Sequence, residues 1–307
     1  MNEADAFAEL LGNAPKPATA PAAIPATVAP LPKKNAAVPL DYAILGGSLI
    51  AIGGWVFASD AILGALYGAG LLESVITVDV VANLLIFGGI IAIAFVCSRF
   101  VTAKPSVKAI ALPLAIALGL GLGLGGLLFS FGEAWIGGHA VDPVNPATAT
   151  VMTLMLGTAI VLFQTGAEEI FFRGWFQRIL VDRAGLMMGI TGSAFAFSAL
   201  HIIGGARDPM SLLNLFLGGL FFGLLAARTG GLAAPIAAHF GWNWGEQILL
   251  GLDPNPGVGA FGAMFDRDLV GSALWGGSVE GLNASVAISF VLLALILPLA
   301  VWKPQPA

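Results

Sequence analysis

The sequence predicts an all-α polytopic membrane protein, a bundle of about eight transmembrane helices, and three observations carry that prediction. Of 307 residues, 58% are hydrophobic and only 10% are charged, with a mean hydropathy of +0.92. These values lie far outside the range of soluble globular domains. The apolar residues come in continuous runs of about 18 or more, the length a helix needs to cross hydrocarbon, and do not alternate as barrel strands do. The basic residues sort by loop: Lys16, Lys33, Lys34, Arg99, Lys104, Lys108, Arg173, Arg178, Arg183, Arg228 and Lys303 fall at one end of the spans, and only Arg207 and Arg267 at the other. That asymmetry predicts that both termini are cytoplasmic.

Residues 1–37 are rich in Ala and Pro, hold nothing that could build a core, and read as a disordered cytoplasmic tail ending at Lys33 and Lys34. The membrane domain then occupies 38–307. Its first apolar run, 38–59, is too long for the core of a cleavable signal peptide and reads as a span. A short segment between Asp60 and Asp79 is expected to lie in the interface. Further spans are expected at 80–98, 109–131, 150–172, 186–203, 212–227, 232–250 and 282–301. The alternation of basic and acidic loops supports this count. Cys97 is the single cysteine, so there is no disulfide framework and no cysteine metal site.

The run Gly119-Leu-Gly-Leu-Gly-Leu-Gly-Gly126 resembles a phosphate loop only superficially. It lies inside an apolar helix with no strand before it, so close helix packing is the expected role. The Gly-rich stretch 253–280 is long enough to cap the face opposite the termini.

The chemistry is concentrated in three of the spans. Glu168 and Glu169 sit in an apolar helix, where an ionised side chain costs roughly 2.5 to 3.5 kcal/mol and therefore marks a functional site with partners. Glu169 and Arg173 are four apart and share a helical face, whereas Glu168 points about 100° away and is free for other work. Phe197 and His201 repeat this spacing in the next span, and His239 and Asn243 do so in another. A turn near Ala184-Gly185 places Glu168 and His201 equally far from it, on the order of 24 Å along their helices, so the two come level. The polar residues Arg178, Asp182 and Arg183 around that turn place the site in the cytoplasmic half of the membrane or near its middle. His139, the third histidine, reads as a solvated loop residue.

These three clusters resemble the family of intramembrane proteases that includes the type II CAAX prenyl endopeptidases and the bacteriocin-processing or Abi proteins. Its motifs EExxxR, FxxxH and HxxxN are intact and in order as Glu168-Glu169-Ile-Phe-Phe-Arg173, Phe197-Ser-Ala-Leu-His201 and His239-Phe-Gly-Trp-Asn243. The resemblance covers about residues 150–250. It implies a metal-independent glutamic endopeptidase without a cofactor, in which Glu168 with His201 holds and deprotonates water. His239 and Asn243 would donate to the oxyanion, with Glu169, Arg173 and Phe197 in support. The implied substrate is a peptide or lipidated protein in the membrane, with no nucleic-acid partner, and the implied setting is the inner membrane of a bacterial cell.

Other classes are compatible with parts of this pattern. A metal-dependent membrane hydrolase could use Glu168, His201 and His239 as ligands, although the HExxH signature is absent. A serine protease would need Ser193 or Ser198 as nucleophile. A proton-coupled transporter could use the same buried acid and histidines, but repeated halves and broken helices are not evident. A scaffold or immunity protein could keep the fold without cleavage.

Overall fold

The computed structural model describes residues 38–105, 107–143, 149–254 and 260–303, so the expected tail lies outside the described residues. The α-helices there are α1 (Val38–Gly68), α2 (Val75–Ser98), α3 (Leu112–Ile136), α4 (Val151–Glu169), α5 (Gln177–Ala184), α6 (Leu186–Ile203), α7 (Pro209–Thr229), α8 (Ala233–Trp244) and α9 (Val286–Val301). A π-helical segment, Ile170–Phe176, joins α4 to α5 without a break, and α8 runs on into a second one, Gly245–Leu249. Among the described residues, six helices are long and apolar enough to cross a membrane by themselves. The shorter apolar helix α9 and the rod of α8 with its π segment complete the expected eight. The protein is an integral membrane protein.

Two expected boundaries are corrected. No separate interfacial segment occupies 60–79: α1 continues to Gly68 and α2 already begins at Val75. One exposed carboxylate, Asp60, does not interrupt the helix-forming run Ala61-Ile-Leu-Gly-Ala-Leu66. The fourth span does not stop at Phe172, because the π segment carries its backbone hydrogen bonding on to Ala184.

Contacts between loops define two poles. At one, Ile110 N–H donates to Thr229 O (3.0 Å), Arg228 Nε donates to Leu299 O (2.8 Å), and Arg183 Nε reaches Asp41 Oδ2 of α1 at 2.5 Å. At the other, strand β1 (Ala140–Val141) pairs antiparallel with β3 (Arg267–Leu269), which pairs parallel with β2 (Leu252–Asp253). Side chains cap four helix starts at this second pole: Ser74 for α2, Thr150 for α4, Asp208 for α7 and Ser285 for α9. Each accepts from amides that the first turn leaves unpaired. Among the described residues of the stretch 253–280, Asp253 and Arg267–Leu269 contribute to the sheet at this pole.

The packing explains the glycine run. Gly119 and Gly123 press α3 against α8, where an added Cβ would lie 2.3 Å from Ala234 O and 1.9 Å from Ala238 O. Gly121 and Gly125 meet nothing within 4 Å and face outward. Only a side chain of hydrogen allows two helix backbones this close, and the helix held by it is the one bearing His239. Leu127, Phe221, Trp242 and Ile288 belong to one apolar core, and Ile52, Phe172, Trp175 and Phe197 to a second. The motif residues lie where these two cores meet.

Candidate active site

The end of α4 brings two carboxylates into apolar surroundings and separates their roles. Glu169 is fully buried and accepts from Arg173 Nη1 at 2.8 Å, the i,i+4 pair expected from the sequence. Arg173 is itself 1% exposed. Its guanidinium lies 4.7 Å from the Phe197 ring, 5.4 Å from Phe222 and 5.6 Å from Phe172, and Nη2 donates to Gly219 O at 3.3 Å. A charge enclosed by three aromatic faces and a carboxylate keeps much of its stabilisation without water. The π segment starts directly after Glu169, and Gln177 N–H reaches back five residues to Phe172 O.

His239 links the two glutamates. Its Nδ1 lies 2.9 Å from Glu169 Oε1 and its Nε2 lies 3.6 Å from Glu168 Oε2. A carboxylate oxygen only accepts, so Nδ1 carries the proton of this bond and Nε2 is a donor only in the doubly protonated ring. Phe222 stacks on the imidazole at 4.6 Å, and Phe197 meets it edge-on at 6.0 Å. The pairing between positions 70 apart in sequence, and the stacking of Phe222, are features that helical spacing within one motif does not reveal.

His201 is oriented by its own helix. Its Nδ1 lies 2.8 Å from Phe197 O, so Nδ1–H donates and Nε2 of the neutral ring is the lone-pair nitrogen. The Phe197 ring tilts over it at 4.5 Å. The motif FxxxH therefore works twice through one residue, with the Phe197 carbonyl fixing the tautomer and its ring separating His201 from the buried pair. Asn243 is half-buried.

Glu168, His201, His239 and Asn243 all line one cavity of about 450 Å³. Ile52, Val56, Ile86 and Phe87 form an apolar wall, while Gln164, Asn214 and Gln247 add amides. The cavity reaches Gly204, Ala206, Glu280 and Asn283 at the pole of the strands, so it extends away from the terminal pole. The hairpin turn is at Gly185 as expected, and α6 ends two residues after His201.

Glu280 anchors the rim. Its Oε1 accepts from Arg207 N at 2.7 Å and Asp208 N at 2.8 Å, tying the loop before α9 to the α6–α7 turn. Asn214 Nδ2 reinforces this by donating to Asn283 O and Ser285 O, both at 2.8 Å. Ser193 and Ser198 are buried and donate to Phe172 O and Leu212 O, which leaves neither poised as a nucleophile. His139 stacks on Trp275 at 5.8 Å and is structural, not merely solvated. Among the described residues, no three of His, Cys, Asp and Glu converge as a metal-ligand set.

Residues 149–245 match the family model described as type II CAAX prenyl endopeptidase Rce1-like. The match spans all three motifs, from the cap of α4 to the end of α8, and is the family that the motifs resemble. Neither the curated proteins nor the solved structures give a match to the chain.

Proposed function

We propose that the chain is an intramembrane endopeptidase of the CAAX type, hydrolysing a peptide bond of a membrane-associated or lipidated substrate with a water activated by Glu168. The Rce1-like match over residues 149–245 supports the family-level activity. The observation that carries the residue-level reading is the division of labour between neighbouring carboxylates. Glu169 is occupied by Arg173 and His239, while Glu168 borders a cavity that also holds His201 and Asn243.

In this reading a water in the cavity donates one O–H to Glu168 and the other to Nε2 of His201, two acceptors that leave its lone pair for attack. The water oxygen bonds to the scissile carbonyl carbon as its proton passes to Glu168. The carbonyl oxygen becomes an oxyanion, to which the Asn243 amide donates, joined by His239 Nε2–H when that ring carries both protons. The C–N bond then breaks, and Glu168 hands its proton to the departing amine. Each atom of water is accounted for, and no covalent enzyme intermediate forms. Both termini lie on the cytoplasmic side in this proposal, so the cavity opens toward the opposite face.

The test is turnover of a peptide library, with and without a prenylated cysteine, by purified wild-type protein and by Glu168→Gln. Cleavage by wild type and its loss in the variant is the expected result. Equal cleavage by both proteins removes Glu168 from the mechanism. Stoichiometric zinc, with activity lost on chelation and restored by the metal, would replace this reading with a metal hydrolase using Glu168, His201 and His239.

A further inference from the structure

The cavity carries more polar groups than hydrolysis uses. Gln164 lies four residues before Glu168 on α4, and Gln247 lies four after Asn243, in the π segment that continues α8. Both line the cavity, and neither side chain makes a hydrogen bond to a described residue. Gln247 is nevertheless only 7% exposed. A primary amide that glues helices together does so by bonding across the interface, and an unbonded one held beside an active site has its donors and acceptor reserved for something else.

The direction and spacing of the two residues point to what that is. The fourth span runs toward the terminal pole and the rod of α8 runs away from it, so stepping back from Glu168 and forward from Asn243 moves in the same direction, toward the strand pole. The step of four residues along α4 from Glu168 back to Gln164 rises about 6 Å. An extended peptide repeats its orientation every two residues, or about 6.6 to 6.8 Å. An amide one turn from the hydrolytic group therefore meets the peptide unit two residues from the scissile bond, facing the same way. A side-chain amide donates and accepts at once, which is what a peptide C=O and N–H withdrawn from water require.

Resting on the peptidase reading, we propose that Gln164 and Gln247 bind the backbone of an extended substrate segment on the strand-pole side of the scissile bond. This makes the enzyme a reader of polypeptide backbone at that position, tolerant of the side chain there. It also requires the substrate to be unwound locally, because a helix would keep those peptide groups for itself.

The experiment measures binding and turnover separately. Peptides with and without a prenylated cysteine are made all-amide and with a single amide-to-ester replacement at each backbone position around the scissile bond in turn. Affinity is measured with Glu168→Gln protein, so that the peptide is not consumed. The expected result is one position at which the ester weakens binding on the order of tenfold, the worth of one hydrogen bond in a dry site. Adding Gln164→Leu or Gln247→Leu should weaken the all-amide peptide by a similar factor and abolish the ester effect. Gln164→Asn and Gln247→Asn, which withdraw the amide by one methylene, should fall between and serve where a Leu variant folds poorly.

Esters tolerated at every position, or an ester effect undiminished in the Gln variants, overturns the proposal. Peptides that bind with this pattern but are not cleaved by wild-type protein would overturn the peptidase reading and leave the backbone site standing. Cleavage that is indifferent to both glutamines would do the reverse. Absence of both binding and cleavage overturns both.

Discussion

One oxygen of Glu169 receives two donors: Arg173 Nη1 at 2.8 Å and His239 Nδ1 at 2.9 Å. The glutamate that neutralises the buried arginine therefore also sets the orientation of a histidine on another helix, and its other oxygen is buried without a hydrogen bond among the described residues. Glu169→Gln should lower stability by about 3 to 5 kcal/mol, because it leaves a buried guanidinium without its counter-charge. Thermal shift in detergent measures this, and a melting temperature equal to wild type would contradict the assigned role.

Glu168→Gln should behave in the opposite way. The carboxylate borders the cavity, makes no ion pair with Arg173 and meets His239 only at 3.6 Å, so its loss removes a base while the closer bonds of Glu169 to Arg173 and His239 stay in place. Turnover should fall by at least about 10² to 10⁴, the contribution typical of a positioned base, with the melting temperature near that of wild type. If Glu168→Gln keeps turnover while Glu169→Gln is stable and inactive, the catalytic role belongs to the other carboxylate.

Glycines two positions apart on α3 should respond differently to one added methyl. Gly123→Ala places a carbon where Ala238 O already sits and should cost on the order of 1 to 3 kcal/mol or prevent folding, whereas Gly121→Ala meets open space. Because α8 bears His239, a partly folded Gly123→Ala should also lose turnover. Expression level, melting temperature and activity of the two variants side by side provide the check.

At the strand pole, Asp268 stands in register with Asp253, and burial, followed by the charges of Asp253 and Asp266, raises its carboxyl above the ordinary carboxylate range. An acid raised in this way holds its proton more tightly in the folded state. Its stabilising contribution is complete below the ordinary carboxylate value and is lost as pH rises through the raised one. Hydrogen exchange of 267–270 should therefore slow on mild acidification, and Asp268→Asn should show the slower exchange already at neutral pH. Equal exchange in the two proteins at neutral pH would remove this account.

Orientation is tested by single cysteines at positions 60 and 266 in a Cys97→Ala background. An impermeant thiol reagent should reach both from the side opposite the termini. Labelling of both from the terminal side would reverse the topology and, with it, the face toward which the cavity opens.

The bundle was legible because the bilayer constrains it: span length and the distribution of Lys and Arg leave few alternatives to eight crossings. The pair Glu169–Arg173 and the turn at Gly185 were legible for local reasons, helical spacing in one case and a residue at φ 87° in the other. The extension of α1 past Asp60 was not, since a charge alone does not reveal whether its helix goes on into water. Nor was the bond from His239 to Glu169, which depends on how α3 holds α8, and no local pattern encodes that. Gln164 and Gln247 gave no signal in the sequence, because only the cavity shows that they border the same space as Glu168 and Asn243.

The wide turn after Glu169 sets two phases in one rod. A π turn amounts to one residue inserted into an α-helix, and each inserted residue rotates everything downstream by about 100°. Upstream of it, the helix is phased to aim Glu168 at the cavity. Downstream, α5 is phased to let Gln177 donate to Gly223 O at 2.9 Å and Arg183 grip Asp41 at 2.5 Å. A straight helix could satisfy one of these angles and not the other. Deleting Gly174 would thus force a choice, leaving either the glutamates or the clasp to α1 in place but not both, even though every side chain named here remained in the chain.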